Sequence, residues 1–305
     1  MNGILILNKP EGITSSKILN RIKKLLNIKK AGHTGTLDPF ATGVLPICLN
    51  EATKVVSYLR EDVKEYTGTI KLGISTDTLD KTGKIIQKNK VGKIKESDIL
   101  DCFCKYKGNI KQIPPMYSAV KKDGVRLYSL ARKGMVVDRN FKDVRIEKLE
   151  LLDFELPYIN FYVKCSKGTY IRSLSNDIGN ELGCGGHLKL LKRISSGQFS
   201  IDDSYTFEDI ESSNYKIIEL NNLLNHVNSI DVNDMLAEII RDGKKLIKEY
   251  FVNVSFQNFK KYETIAVKNN NNLIALTETK ISFSEFEEAD DSDVILRILR
   301  VININ

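Results

Sequence analysis

Between Glu11 and Glu51 the chain carries one carboxylate, Asp38, in the middle of GHTGTLDPFATGVLP at residues 32–46. Glycines on both sides permit backbone conformations that other residues resist, and Pro39 fixes the chain directly after the acid. An Asp-Pro step alone marks a turn. A fifteen-residue run rich in small, polar and turn-forming residues, with one acid in its middle, describes instead a loop that holds the Asp38 side chain rigidly, which suits a catalytic carboxylate.

The surrounding pattern predicts alternating strands and helices. Residues 3–7 read as a short buried strand ending at Asn8-Lys9-Pro10. Thr14 or Ser15 then caps a helix through Leu26 that puts Ile18, Ile22, Leu25 and Leu26 on one face. Strands are expected at 44–49, 64–73, 84–87, 144–154 and 159–165, with turn-rich TDTLDKTG between the second and third. Ala52, Val55, Val56 and Leu59 recur at helical spacing, and a helix capped by Ser97 bears Ile99, Leu100 and Phe103. A further helix begins near Thr169 and runs to Leu182, where GCGG stops it, and residues 187–194 also show helical apolar spacing. Beyond about 230 the short alternating runs VNVSF, TIAVK, LIALTE and VILRILRVI predict a small β-rich domain.

Charge divides the chain. Residues 1–200 hold 35 Lys/Arg against 20 Asp/Glu, whereas residues 201–305 hold 11 against 19. A basic first part favours a polyanionic partner such as nucleic acid. The strongest concentration is residues 105–142, with ten basic residues, two acids, Pro114-Pro115 and the aromatics Tyr117 and Tyr128. That composition suits a surface loop or loop-helix lying along a sugar-phosphate backbone.

Several classes are disfavoured. No segment reaches the roughly 18 consecutive apolar residues of a membrane helix, and MNGILILNKP is too short and too soon polar for a secretory signal, so a cytoplasmic protein is expected. Cys48, Cys102, Cys104, Cys165 and Cys184 show no Cys-x-x-Cys pair, and His33, His187 and His226 are scattered, so neither a disulfide framework nor a metal site is suggested.

The Asp38 loop resembles the signature of the TruB-type family of tRNA pseudouridine-55 synthases. Four further stretches resemble the family in the same order: NKPEGITS, KEYTGTIKLGISTDTLDKTG, KQIPPMYSAVKKDGVRLYSLARKG, and CSKGTYIRSLSNDIG leading into GGHLKLLKR. The resemblance implies an α+β pseudouridine synthase fold, a mixed, mainly antiparallel sheet with flanking helices, followed by a PUA-like domain. The expected division is a catalytic domain at 1–230, with 105–142 as a basic RNA-binding insertion, and the PUA-like domain at 231–305.

The implied reaction is isomerisation of uridine to pseudouridine at position 55 in the T loop of tRNA, with the target base flipped into a cleft. It adds and oxidises nothing, so no cofactor and no metal are expected. By motif position Asp38 is the catalytic carboxylate, acting as nucleophile on the sugar or base or stabilising the charge that develops. Arg172 matches the arginine that pairs with it. Tyr66 matches the tyrosine that stacks on the base and is placed to take the proton from carbon 5. Tyr170 and Leu191 match pocket walls, His33 the group that fills the space vacated in the RNA, and Lys9 a supporting residue beneath the cleft. Ser129 and Asn176 stand where the family often has acids. The expected partner is the tRNA T stem-loop, with no membrane, no obligate protein partner and a monomeric state. A guide-RNA-dependent synthase and a non-catalytic RNA-binding protein are the alternatives; the run around KQIPPMYSA disfavours the first, and intact Asp38, Tyr66 and Arg172 the second.

Overall fold

The first strand, β1 (Gly3–Lys9), is almost wholly buried because both of its faces are covered. Leu5 and Leu7 enter one core and Ile4 and Ile6 enter another, so a continuous apolar run serves two layers at once. The computed structural model describes residues 1–60 and 62–303. Helix α1 (Ser15–Leu25) follows, its N-terminus capped by the Thr14 side chain, which accepts from the Lys17 N–H at 3.2 Å. Ile18 and Ile22 are its buried apolar residues and share a core with Leu5 and Leu7.

Next come β2 (Ala31–His33), β3 (Thr42–Leu49), β4 (Val63–Leu72), β5 (Ile74–Thr76), β6 (Ile85–Lys88), α2 (Glu96–Lys105) and β7 (Gly108–Gln112). Within the basic segment lie β8 (Lys121–Lys122), β9 (Val125–Arg126) and α3 (Leu127–Arg132); β10 (Lys142–Glu155), β11 (Tyr158–Ser166), α4 (Ile171–Glu181), β12 (Gly186–Ser196) and β13 (Phe199–Ser200) follow. After α5 (Phe207–Glu211), β14 (Ile218–Glu219) and α6 (Leu220–Leu223) the main sheet is complete, in the order β14-β1-β3-β12-β4-β11-β10-β7. Its pairs are antiparallel except β3 with β12, where only Lys192↔Thr42 and Arg193↔Gly43 match. The same edge of β3 is then taken by β2, from Ala31↔Leu49 to His33↔Ile47. The Asp38 loop therefore emerges from a fork where β2 and β12 part along one edge of β3. Gly43 is required at that fork, because a Cβ there would lie 2.1 Å from the Arg193 carbonyl oxygen.

A second sheet is built from β15 (Ser229–Asp231), β16 (Leu246–Ile247), β17 (Thr264–Asn269), β18 (Asn272–Thr279) and β19 (Val294–Val301), ordered β15-β17-β18-β19-β16. The helices α7 (Asp234–Arg241) and α8 (Phe283–Glu288) belong to this part. One set of its residues packs with Phe251, Phe259 and Ile240, while Ala266, Leu273, Leu276 and Ile302 join Ile4, Ile6, Val44 and Cys48 of the main sheet. The architecture is thus α+β, a mixed, mainly antiparallel sheet with flanking helices plus a small β-rich C-terminal part.

Three expectations are corrected. Residues 187–194 are not a helix but the middle of strand β12, which pairs with β4. Register shifts at Leu188/Leu190 and Arg193/Ser195 break the two-residue alternation, so buried Leu188 and Leu191 fall three apart and imitate a helical period. VNVSF forms no strand; Val254 and Phe256 reach the C-terminal core from irregular backbone. The basic segment 105–142 holds a helix, α3, anchored by Leu127 at 1% exposed, as the loop-helix alternative has it, but it also supplies β7, an edge strand of the main sheet that neither alternative includes.

Candidate active site

The loop that presents Asp38 is pinned on both sides of the acid. The Ser15 hydroxyl accepts from the Leu37 N–H and donates to the Leu37 carbonyl, both at 2.9 Å. The Lys9 ammonium, fully buried, donates to the carbonyls of Pro10 at 2.7 Å, Ile13 at 2.8 Å and Pro39 at 3.2 Å. Its three donors are thereby matched to three carbonyls. Burial pulls the Lys9 pKa down to about 8, against the opposing pull of Asp38 and Glu11.

Arg172, in the first turn of α4, meets Asp38 through a fork: Nε to Oδ2 at 2.8 Å and Nη2 to Oδ1 at 3.1 Å. The same guanidinium donates to the carbonyls of Thr78 at 3.1 Å and Tyr117 at 2.8 Å. Gln112 of β7 fixes the entry to the helix, accepting from the Tyr170 N–H at 2.7 Å and donating to its carbonyl at 2.9 Å. A second carboxylate, Asp80, lies 3.6 Å from Arg172 Nη1 and is 3% exposed. Its Oδ1 accepts from both threonine hydroxyls, Thr78 at 2.8 Å and Thr82 at 2.6 Å, and from the Thr82 N–H at 2.8 Å.

Burial pushes the Asp38 carboxyl above its ordinary value; Arg172 opposes this, Asp80 adds to it, and Lys9 opposes it from below. The ionised form of Asp38 therefore depends on Arg172. Asp38 still faces the cavity, its side chain 32% exposed while that of Arg172 is 6% exposed. Both groups border the cavity, and the Asp38 carboxyl is the more open of the two.

Asp38 opens onto a cavity of about 970 Å³ lined also by Tyr66, Tyr170, Arg172, Leu191 and Arg193. Tyr66 stands on β4 opposite Arg193 of β12, and Leu191 is opposite Gly68. Burial raises the Tyr66 phenol, with Arg193 pulling it down. The rim is basic, with Lys84, Arg126, Arg132 and Lys167. Tyr128 is held there between two arginines, its hydroxyl 3.2 Å from Arg126 Nη1 and its ring 5.4 Å from the Arg132 guanidinium.

Of the residues expected at the site, Asp38, Tyr66, Tyr170, Arg172 and Leu191 line the cavity. Lys9 and His33 do not: Lys9 lies under the loop, and His33 ends β2 with its buried Nδ1 unpaired among the described residues. Asp80 and Arg193 were missed. Asp80 stood in a segment that reads as a turn, and Arg193 in one that reads as a helix. Among the described residues no group of three His, Cys, Asp or Glu side chains is arranged to hold a metal ion, and no helix is long and apolar enough to cross a membrane.

Two family models match adjoining stretches of the chain: TruB family pseudouridylate synthase, N-terminal domain, over residues 23–171, and tRNA pseudouridylate synthase B C-terminal domain over residues 172–233. The tRNA pseudouridine synthase B of Clostridium tetani is 46% identical over 248 residues, covering 81% of this chain and 86% of that protein. The protein of that name from Francisella philomiragia is 48% identical over 217 residues, 71% of this chain and 72% of its own. Among solved structures, one titled a Cbf5-Nop10-Gar1 complex superimposes with a TM-score of 0.72 at 27% identity, covering 99% of this chain and 85% of the other. Sequence, fold and the two matched models agree that the chain belongs to the TruB family of pseudouridylate synthases, which are isomerases.

Proposed function

We propose that this enzyme isomerises uridine 55 in the T loop of tRNA, acting as a monomer in the cytoplasm without cofactor or metal. The observation that carries the reading is the Asp38–Arg172 fork at the wall of a large cavity with a basic rim. A uridine stacked in a folded loop is out of reach of such a recessed carboxylate, so the base must be flipped into the cavity, where Tyr66 and Leu191 can flank it. Asp38, kept ionised by Arg172, either attacks the sugar or base or stabilises the charge left when the glycosidic bond breaks. Tyr66 stacks on the uracil and handles the carbon-5 proton. Tyr170 completes the wall, His33 occupies the space left in the RNA, and Lys9 works at one remove by holding the Pro39 carbonyl beside the acid.

Basic residues within 105–142, including Arg126 and Arg132, bind the sugar-phosphate backbone next to the flipped base. The 231–305 region forms a PUA-like domain that adds a smaller contribution to RNA binding. The deciding experiment is tritium release from tRNA labelled at carbon 5 of uridine, with wild type and Asp38→Asn. Release by wild type alone supports the reading, and release by both removes Asp38 from its role.

A guide-dependent mode is the second reading, favoured by the superposition on Cbf5 in its complex. The higher identity to tRNA pseudouridine synthase B proteins, 46% against 27%, weighs for the standalone mode. Activity of the purified chain on a bare tRNA transcript separates them.

A further inference from the structure

Arg193 is 2% exposed, yet among the described residues no carboxylate oxygen lies within 4.0 Å of it. Its Nε donates to the Val44 carbonyl at 2.7 Å and its Nη2 to the Gly35 carbonyl at 3.1 Å. Buried arginines are normally compensated by a carboxylate, as Arg172 is by Asp38. Arg193 thus brings a fixed, uncompensated positive charge to the cavity wall. Across the β12–β4 pair its direct partner is Tyr66, both side chains line the cavity, and the Arg193 charge pulls the Tyr66 phenol down.

We propose that Arg193 acts through Tyr66, as the positioning residue that allows the phenol to carry negative charge while protons are moved on the base. This rests on the reading of the cavity as a uridine isomerase site. The proton count then closes within the site. Uracil leaves the ribose with the electron pair of the bond from carbon 1′ to nitrogen 1, and the Tyr66 hydroxyl protonates that nitrogen and becomes phenolate. The ring turns, carbon 5 bonds to the ribose, and the phenolate takes the carbon-5 proton, whose bonding pair restores the double bond between carbons 5 and 6. Tyr66 ends as the phenol it began as, and product nitrogen 1 holds the proton the reaction requires.

The groups facing the Tyr66 hydroxyl divide by sign. Arg193 from β12 favours the phenolate, while burial, Cys165 from β11 and Asp38 from its loop disfavour it. Tyr66 is therefore neutral at rest, which the first proton transfer requires, and Arg193 is the charge that makes the second state reachable.

The experiment is a cycle of wild type, Arg193→Met, Tyr66→Phe and the double variant, with Arg193→Lys beside them, assayed by single-turnover conversion of tRNA and by filter binding. Arg193→Met should slow conversion about a hundredfold with binding changed by about twofold at most, and Arg193→Lys should recover part of the rate. In the Tyr66→Phe background the same change should cost no more than about twofold. An equal loss in both backgrounds overturns the proposal, since Arg193 would then act only by tying the Gly35 and Val44 carbonyls. A second readout needs no turnover: carbon-13 tyrosine NMR of the free protein should show Tyr66 beginning to titrate at higher pH in Arg193→Met than in wild type, and an unmoved titration also overturns it. Absence of pseudouridine with wild type would instead count against the uridine reading, leaving the NMR result to judge Arg193.

Discussion

Arg172 engages both oxygens of Asp38, at 2.8 and 3.1 Å, while standing only 3.6 Å from the second carboxylate, Asp80. One guanidinium thus serves two acids on the cavity wall, Asp38 with its side chain 32% exposed and Asp80 with its side chain 5% exposed. The charge state of Asp38 is set by that competition, since Arg172 lowers its pKa and Asp80 raises it.

Arg172→Lys should move the acidic limb of the pH–rate profile upward. In the proposed reaction Asp38 acts as the carboxylate, and burial already lifts its pKa, so activity should fall as pH drops through that raised value. Losing the fork lifts it further. Single-turnover rates between pH 5 and 8, on the order of the range where tRNA and protein stay folded, provide the check; a limb that stays put contradicts the role of the fork.

Asp80→Asn should move the same limb the other way. The substitution keeps shape and the oxygen that accepts from Thr78 and Thr82 but removes the charge that raises Asp38. The rate plateau should also fall, by about tenfold, because Arg172 loses one of the groups that orient it. An acidic limb displaced upward, measured beside Arg172→Lys, would contradict this electrostatic ordering.

Tyr66→Phe should bind tRNA as wild type does and convert it at least about a hundredfold more slowly, because stacking survives and the proton-transfer group does not. Conversion at the wild-type rate would restrict Tyr66 to stacking.

Lys9→Met should destabilise the fold by about 2–4 kcal/mol, because three part-buried carbonyls lose their buried donor. The pH dependence has a definite sign. The folded pKa of about 8 lies below the ordinary 10.5, so in that window the unfolded chain binds more protons and wild-type stability rises with pH. Relative to Lys9→Met, wild type should gain roughly 3 kcal/mol across it. Urea melts at pH 7 and pH 10 measure both effects, and a constant difference between the proteins would contradict the depressed lysine.

Binding of tRNA should weaken steeply with salt, and Arg126→Ala with Arg132→Ala should each reduce the slope of log K against log salt by about one. A flat response of the wild type would remove the basic rim from RNA binding.

Much of the frame was legible because it is local. The two-residue alternation of β4 and the Thr14 cap of α1 are written in adjacent residues, and strict alternation leaves one register that buries the apolar face. Where the alternation slips, legibility failed: the bulges of β12 turned a strand into an apparent helix and concealed Arg193. Asp80 was hidden differently, in a threonine-rich turn whose hydrogen bonds are local but whose charge partner, Arg172, is distant.

The sequence by itself determined which residues are available: an isolated acid in a rigid loop, a basic segment of 38 residues, and co-linear stretches resembling one family. Tertiary structure decided how they meet. Asp38 and Arg172 are 134 residues apart and touch because β12 joins β3 to β4, with β2 leaving the same edge of β3 and throwing the loop into the cleft. Strand order and bulge position are settled by burial summed over the whole sheet, a property that no local window contains.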